Sequence, residues 1–237
     1  MTMRFLEVSG LSKSFKKRRV VGNLSFRVDP GKVIGLLGPN GSGKTTTFKL
    51  ILGLEKPDAG TVSLGQCLDG LPLYQRARMG LGYLPQTPGV FAGLSVRDNL
   101  LGVLEALKHP DAKKRANQLL AQFGLIHLAD QKSGTLSGGE RRKLEFARAL
   151  CSKPSILLVD EPFAAIDPIA QADLAAVIRH LAADGIGILL TDHSVRQSLS
   201  VCDWVYLIVD GEIVESGTSA EIRSSENARA RYLGNDI

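Results

Sequence analysis

Gly38-Pro39-Asn40-Gly41-Ser42-Gly43-Lys44-Thr45-Thr46 decides how this chain is read. The stretch fills G-x-x-x-x-G-K-[ST] at every fixed position. The apolar run Val33-Ile34-Gly35-Leu36-Leu37 precedes it, and a helix-like segment, Thr46 to Leu52, follows. Glycine at 38, 41 and 43 allows backbone conformations closed to other residues, so that successive N–H groups can turn inward around an anion. A helix opening at Gly43 adds about half an elementary positive charge at its N-terminus, which favours phosphate there. Lys44 is then placed for the β- and γ-phosphates of a nucleotide, and the Thr45 hydroxyl for Mg²⁺. The alternative, a glycine-rich turn that merely joins a strand to a helix, is disfavoured because every fixed position is filled and both flanks fit.

At 237 residues and 44% hydrophobic side chains, the chain can bury a sizeable core in one large domain or two small ones. No run approaches the roughly 18 apolar residues that cross a bilayer, and Met1-Thr2-Met3-Arg4-Phe5 lacks the apolar core of a secretory signal. A cytoplasmic protein is expected. Cys67, Cys151 and Cys202 are odd in number, far apart and without C-x-x-C spacing, and read as small buried side chains. The net charge of +5 is a modest excess. Its dense run, Lys16-Lys17-Arg18-Arg19, lies beside a predicted turn and reads as a solvated loop, so nucleic acid is not expected as a partner.

Residues 4 to 8 and 24 to 28 alternate apolar and polar, as half-buried antiparallel strands of an edge sheet do. Phe15, between them, suits either stacking on adenine or an ordinary strand end, and spacing does not choose between these. Val33 to Leu37 has the continuous apolar character of a strand buried on both faces of a parallel sheet. Further strands are expected at Gly60 to Leu64 and at Leu81 to Leu84, the second leading into Pro85-Gln86. An amide at Gln86 could ligate Mg²⁺ and the attacking water, or be a plain surface glutamine. Helices are predicted from Ser95, as N-cap, to about Leu107, from Ala112 to about Phe123, and from Gly139 to Cys151. Residues 87–152 therefore read as a helical insertion into an α/β core.

Leu136-Ser137-Gly138-Gly139-Glu140 opens the third of these helices. Ser137 can cap it, while Gly138 and Gly139 leave its first N–H groups bare enough to approach a phosphate, which makes a second anion site. Ile156-Leu157-Leu158-Val159 is the next buried strand and delivers Asp160 and Glu161 to its carboxyl end, where doubly wound sheets bind ligands. Asp160 suits a Mg²⁺ shell and Glu161 suits polarising a water. A helix from Pro168 to Ala183 and a strand from Ile186 to Leu190 follow, and Thr191-Asp192-His193 brings a histidine to the same crevice. Strands at Trp204 to Ile208 and Glu212 to Glu215 and a helix near Asn227 to Leu233 close the chain.

In this order, the phosphate loop, Gln86, Leu-Ser-Gly-Gly-Glu, Ile-Leu-Leu-Val-Asp-Glu-Pro and His193 resemble the ATP-binding-cassette ATPases across essentially the whole chain. The resemblance implies an α/β P-loop NTPase core at 1–86 and 153–237, with an antiparallel β subdomain, and a helical subdomain at 87–152. It implies an ATP-dependent dimer of two copies packed head to tail, each ATP lying between one copy's phosphate loop and the other's Ser137, Gly138 and Gly139. Phe15 would stack adenine, Glu161 would be the catalytic base, His193 would contact the γ-phosphate, and Ala164 to Asp167 would link the two sites. Gly43 to Phe48, Gly82 to Gln86, Val90-Phe91, Leu94-Ser95-Val96, Asp98-Asn99-Leu100, Leu136 to Arg142, Asp160 to Ala164, Thr191 to Arg196 and Tyr232-Leu233-Gly234 are similar to the lipopolysaccharide-export ATPases. Those of branched-chain amino-acid importers share several of these words, and a soluble assembly ATPase is a further alternative. Phe15 stands where tyrosine is usual, and Ala165-Ile166 where Gly-Val is. Phe91, in the glycine-flanked turn Gly89 to Gly93, has few local partners to bury it. It is expected to dock integral membrane permease subunits at the cytoplasmic face of the inner membrane, against the alternative that it fills the core of the insertion.

Overall fold

The computed structural model describes residues 4–87, 89–164, 166–193 and 195–230. Ala165, Ser194 and Tyr232-Leu233-Gly234, used in the sequence reading, lie outside the described residues. The chain runs through β1 (Leu6–Phe15), β2 (Arg18–Val28), β3 (Val33–Leu37), α1 (Lys44–Leu52), β4 (Ala59–Leu64), α2 (Leu73–Arg78) and β5 (Leu81–Leu84). Helices α3 (Val96–Ala106), α4 (Ala112–Gln122) and α5 (Gly138–Ala149) come next. β6 (Ile156–Asp160), α6 (Pro168–Ala183), β7 (Gly187–Thr191) and α7 (Val195–Val201) follow. The last elements are β8 (Trp204–Val209), β9 (Glu212–Thr218), α8 (Ser219–Ser224) and the short α9 (Glu226–Ala228).

Among the described residues the strands form two sheets, in the orders β2-β1-β4 and β5-β6-β7-β3-β8-β9. The smaller is antiparallel, whereas β5, β6, β7, β3 and β8 run parallel and only β9 turns back along its neighbour. This is the expected α/β core with an antiparallel β layer. β3, β6 and β7 are buried at every position, and their side chains alternate between two cores. Val33, Leu37, Leu157, Val159, Ile188 and Leu190 face the cluster built from α3 to α7, while Ile34, Leu36, Ile156, Leu158 and Leu189 face β1, β2, β4 and α1. A parallel sheet covered on both faces requires continuous apolar strands, which is the pattern these stretches carry.

Local chemistry fixes the ends of the helices. The Ser95 hydroxyl accepts from the Asp98 N–H at 2.9 Å, and Asp167 accepts from Ile169 and Ala170 ahead of Pro168 at the first helical turn. α5 ends at Ala149, two residues before the expected boundary, because Leu150–Ser152 tightens into a 3₁₀ turn that Lys153 terminates at φ +51°. β1 and β2 extend well beyond 4–8 and 24–28. Register shifts after Val8 and after Leu11 break the simple alternation, so Leu11 returns to the core face out of phase. α2, α7 and α8 were not expected, being six or seven residues each and too short for a helical period to register. Cys151 and Cys202 are buried, but Cys67 is exposed in the turn after β4, which corrects the reading of all three as buried.

Candidate active site

Strand order places the predicted residues side by side. Along the carboxyl edge of the parallel sheet, β5 delivers Gln86, β6 delivers Asp160 and Glu161, β7 delivers Thr191 to His193, and β3 delivers the phosphate loop. Neighbouring strands lie about 4.8 Å apart, so residues separated by more than a hundred positions become adjacent.

The phosphate loop is held from behind. Gly211 N–H donates to Ser42 O at 3.0 Å and Gly211 O accepts from Gly22 N–H at 2.8 Å, tying the loop to the β8–β9 turn and to β2. Gly43 has φ +105°, and a Cβ there would lie 2.5 Å from Val20 O, so no other residue fits. Gly41, at φ +79°, faces open space. Lys44, only 6% exposed, donates to Gly38 O at 2.7 Å and Pro39 O at 2.9 Å. Burial holds its ammonium below the ordinary lysine range, with Glu161, Asp160 and Asp192 opposing that shift. Whereas Ser95, Ser137 and Asp167 cap their helices with side chains, Gly43 offers none to α1, and its first turn carries no acid. Asn40, Gly41 and Thr45 are exposed, Pro39 and Thr46 are partly so, and the buried Ser42 Oγ has no partner among the described residues. A cradle of this kind fits a polyphosphate.

Glu161 is the hinge of the acidic side. Its φ of +46° is a left-handed conformation rare for a non-glycine residue, fixed by a bond from its N–H to Thr191 O at 2.8 Å. Gln86 Nε2 donates to Glu161 Oε2 at 2.7 Å, and His193 Nδ1 lies 3.3 Å from the same oxygen. Three residues read separately from the sequence therefore meet at one carboxylate. Asp160, 5% exposed, accepts from the Thr191 hydroxyl at 2.6 Å, and burial together with the Asp160 carboxylate pushes the Tyr83 phenol up to about 12. Among the described residues no three acids, histidines or cysteines gather as a metal cage. The Thr45 hydroxyl, the Gln86 amide oxygen and the Asp160 carboxylate are hard oxygen donors of the kind that hold Mg²⁺ beside a phosphate.

The helix expected to offer a second anion site begins after Ser137. Ser137 accepts from Glu140 N–H and is bonded in return by the Glu140 carboxylate, a capping box that holds that carboxyl below its usual range. Gly138 and Gly139 N–H groups have no partner among the described residues. Gly139 also has a packing reason to be glycine, since a Cβ would lie 2.9 Å from Ala170 Cβ on α6. Gly138 lines a cleft of about 530 Å³ with Gln86, Glu161, Arg142 and Ile166, and no described residue lining it belongs to the phosphate loop. Phe15 ends β1, 43% exposed, with the Lys13 ammonium 5.5 Å from its ring centre.

A model of the ABC transporter family matches residues 21–164. The chain belongs to that family. The lipopolysaccharide export system ATP-binding protein LptB of Escherichia coli (strain K12) is 45% identical over 239 residues, covering 99% of each chain. LptB of Acidithiobacillus ferridurans is 48% identical over 98% of each. Among solved structures, the ADP conformation of MJ1267, an ATP-binding cassette of an ABC transporter, superposes with a TM-score of 0.88 at 28% identity, covering 99% of this chain and 100% of that one. As a member of the ABC family the chain binds and hydrolyses ATP, and no helix among the described residues is long and apolar enough to cross a membrane.

Several residues that shape this ABC site were not singled out in the sequence. Asp192, fully buried, accepts from Phe163 N–H at 3.0 Å, and Gln171 Nε2 donates to Phe163 O and Ile166 O, so both hold the loop that leaves β6. Arg142 on α5 is 7% exposed and donates to Pro85 O at 3.0 Å, Asp160 O at 3.1 Å and Glu145 Oε2 at 2.7 Å. It binds α5 to the ends of β5 and β6 together. The i, i+3 spacing with Glu145 was legible, but surface pairs have the same spacing, so burial could not be read from it. Removing one partner of a buried pair strands the other. Arg142→Met should therefore lower unfolding free energy in urea by about 3–5 kcal/mol, and Arg142→Met/Glu145→Met should be less destabilised than the single variant. A double variant as unstable as the sum of both singles would contradict this.

Proposed function

We propose that this chain is the ATP-hydrolysing subunit of an ABC transporter that exports lipopolysaccharide from the inner membrane towards the outer membrane. Full-length similarity to LptB proteins supports the cargo, and one observation carries the chemistry. Gln86, Asp160, Glu161, His193 and the phosphate loop share one edge of a sheet, with Glu161 bonded by Gln86 and close to His193.

In this reading the N–H groups from Gly38 to Thr46 and the Lys44 ammonium hold the β- and γ-phosphates, and Phe15 stacks the adenine. Thr45, Gln86 and Asp160 hold Mg²⁺, which when bound would offset phosphate charge. Glu161 takes the proton of the attacking water, its carboxylate aimed by Gln86 and His193. His193 also reaches the γ-phosphate. Ser137, Gly138 and Gly139 serve the nucleotide of a second copy in a head-to-tail, ATP-dependent dimer, and the unpartnered N–H groups of the two glycines support this. Residues 1–86 and 153–237 act as the nucleotide-binding core and 87–152 as a helical subdomain. Ala164 to Asp167, of which Ile166 lies beside Gly138, links the two sites.

Docking of integral membrane permease subunits near Phe91 places the chain at the cytoplasmic face of the inner membrane. Phe91 is 57% exposed, and beside it lies a groove of about 280 Å³ lined by Tyr83, Leu84, Gly89, Val103 and Arg148.

Two variants test the reading. Glu161→Gln keeps shape and loses basicity, so it should bind ATP, hydrolyse it at least about a hundredfold more slowly, and accumulate as an ATP-bound dimer. Normal turnover would remove Glu161 from the mechanism. Phe91→Ala should leave the isolated chain's melting temperature and ATP binding nearly unchanged while weakening co-purification with the membrane subunits. A loss of about 3–5 kcal/mol of stability in the isolated chain would mark Phe91 as a core residue instead.

A further inference from the structure

The segment that exposes Phe91 is tied down from beneath by one buried amide. Asn99 lies on α3, one turn after the cap, and is fully buried. Asparagine is a poor helix former, and an amide out of water is costly unless its donors and acceptor are met. Here they are met largely by a single peptide unit's neighbours. Asn99 Oδ1 accepts from Phe91 N–H at 2.8 Å, and Nδ2 donates to Phe91 O at 3.1 Å, to Ser95 O at 2.9 Å and to Ser133 Oγ at 3.1 Å. Ser133, also fully buried, donates its hydroxyl to Phe91 O at 2.9 Å.

Asn99 thus pairs with the Phe91 main chain on both its N–H and its C=O, as a neighbouring strand would. The flanking peptides are held as well. Gly89 N–H donates to Glu145 Oε1 at 3.2 Å, Gly89 O accepts from Arg148, Ala92 O accepts from Gly134 N–H at 3.1 Å, and Leu94 O accepts from Ser133 N–H at 3.0 Å. The Arg148 guanidinium lies 4.8 Å from the centre of the Phe91 ring. With these backbone groups bonded inward, the segment presents two large apolar side chains to solvent, Phe91 at 57% and Leu94 at 43% exposure.

We propose that Asn99, assisted by Ser133, is a positioning residue for the transporter interface, fixing the Phe91 main chain so that the ring is presented already ordered to an apolar segment of the membrane subunit. This rests on the docking role of Phe91. An anchor ordered before contact loses less conformational freedom on binding, and a fully satisfied buried network supplies that order. A purely structural asparagine would instead stabilise the helix regardless of what residue 91 carries.

A double-mutant cycle on the full chain separates the two. Asn99→Ala, Phe91→Ala, the double variant and Ser133→Ala are each assembled with the membrane subunits in detergent, and amide hydrogen exchange is read on the isolated chain. Asn99→Ala should speed exchange of the Phe91 amide at least about tenfold and weaken assembly by about tenfold, with ATP hydrolysis by the isolated chain unchanged. In the Phe91→Ala background the same change should weaken assembly by less than about twofold. Ser133→Ala, which keeps Asn99, should weaken assembly in the same Phe91-dependent way and decides the matter if Asn99→Ala does not fold. Equal weakening in both backgrounds, or undiminished protection of the Phe91 amide, would overturn the positioning role while leaving docking intact. An unchanged affinity in Phe91→Ala alone would overturn docking itself, and the positioning role with it.

Discussion

Parallel strands cannot be joined by a tight turn, so each pair in the run β5, β6, β7, β3 needs a crossover that leaves the sheet and returns. All of these strands therefore release the chain at the same edge, and the loops that begin there are the ones bearing Gly38 to Thr46, Gln86, Asp160 and Glu161, and Asp192 and His193. The crossovers also cover both faces of the sheet. That coverage makes Val33 to Leu37 and Ile156 to Val159 continuous apolar runs, and it leaves polar chemistry only at the strand ends. Fold and site follow from one pairing pattern.

Electrostatics sets how that edge can work. Asp160, Glu161 and Asp192 lie close enough to act on the Lys44 ammonium, whose burial is the larger influence on it. Three acids around one buried lysine are an unfriendly setting for a polyphosphate unless further positive charge arrives, and the uncapped first turn of α1 contributes part of it. Mg²⁺ on the oxygens of Thr45, Gln86 and Asp160 would contribute the rest. Arg142 acts from behind, bonding α5 to the backbone of Pro85 and Asp160 and so tying the helix that begins at Ser137 to the strand ends.

The parts of this arrangement that were legible in the sequence share a property: their signal is local. The phosphate loop, the buried strands, the Ser95 and Ser137 caps and the acids after β6 each declare themselves within about ten residues, through periodicity, capping chemistry or a strand end. Phe15, Gln86 and His193 were less legible, because a lone aromatic, amide or imidazole gains meaning only from neighbours that strand order supplies. Arg142, Asn99, Gln171 and the structural use of Asp192 were illegible for a different reason. Each is a polar residue bonded to a backbone carbonyl or N–H of another segment, 8 positions away for Asn99 and Gln171, 57 for Arg142 and 29 for Asp192, and no periodic pattern marks such a partner. The β-bulges of β1 hid its length in the same way, since an inserted residue resets the alternation that identifies a strand.

The described residues lining the cleft at Gly138 include none from the phosphate loop, in keeping with the proposal that one active site is assembled from two copies. The most direct measurement mixes two inactive variants. Ser137→Arg keeps its own phosphate loop but blocks the helix N-terminus it offers to a partner, and Lys44→Ala does the reverse. ATP hydrolysis should be negligible for each alone and reappear on mixing, in proportion to the mixed dimer, with Ser137→Arg still binding ATP as a monomer. Mixed dimers that form without recovering hydrolysis, or a Ser137→Arg monomer that cannot bind ATP, would contradict the account.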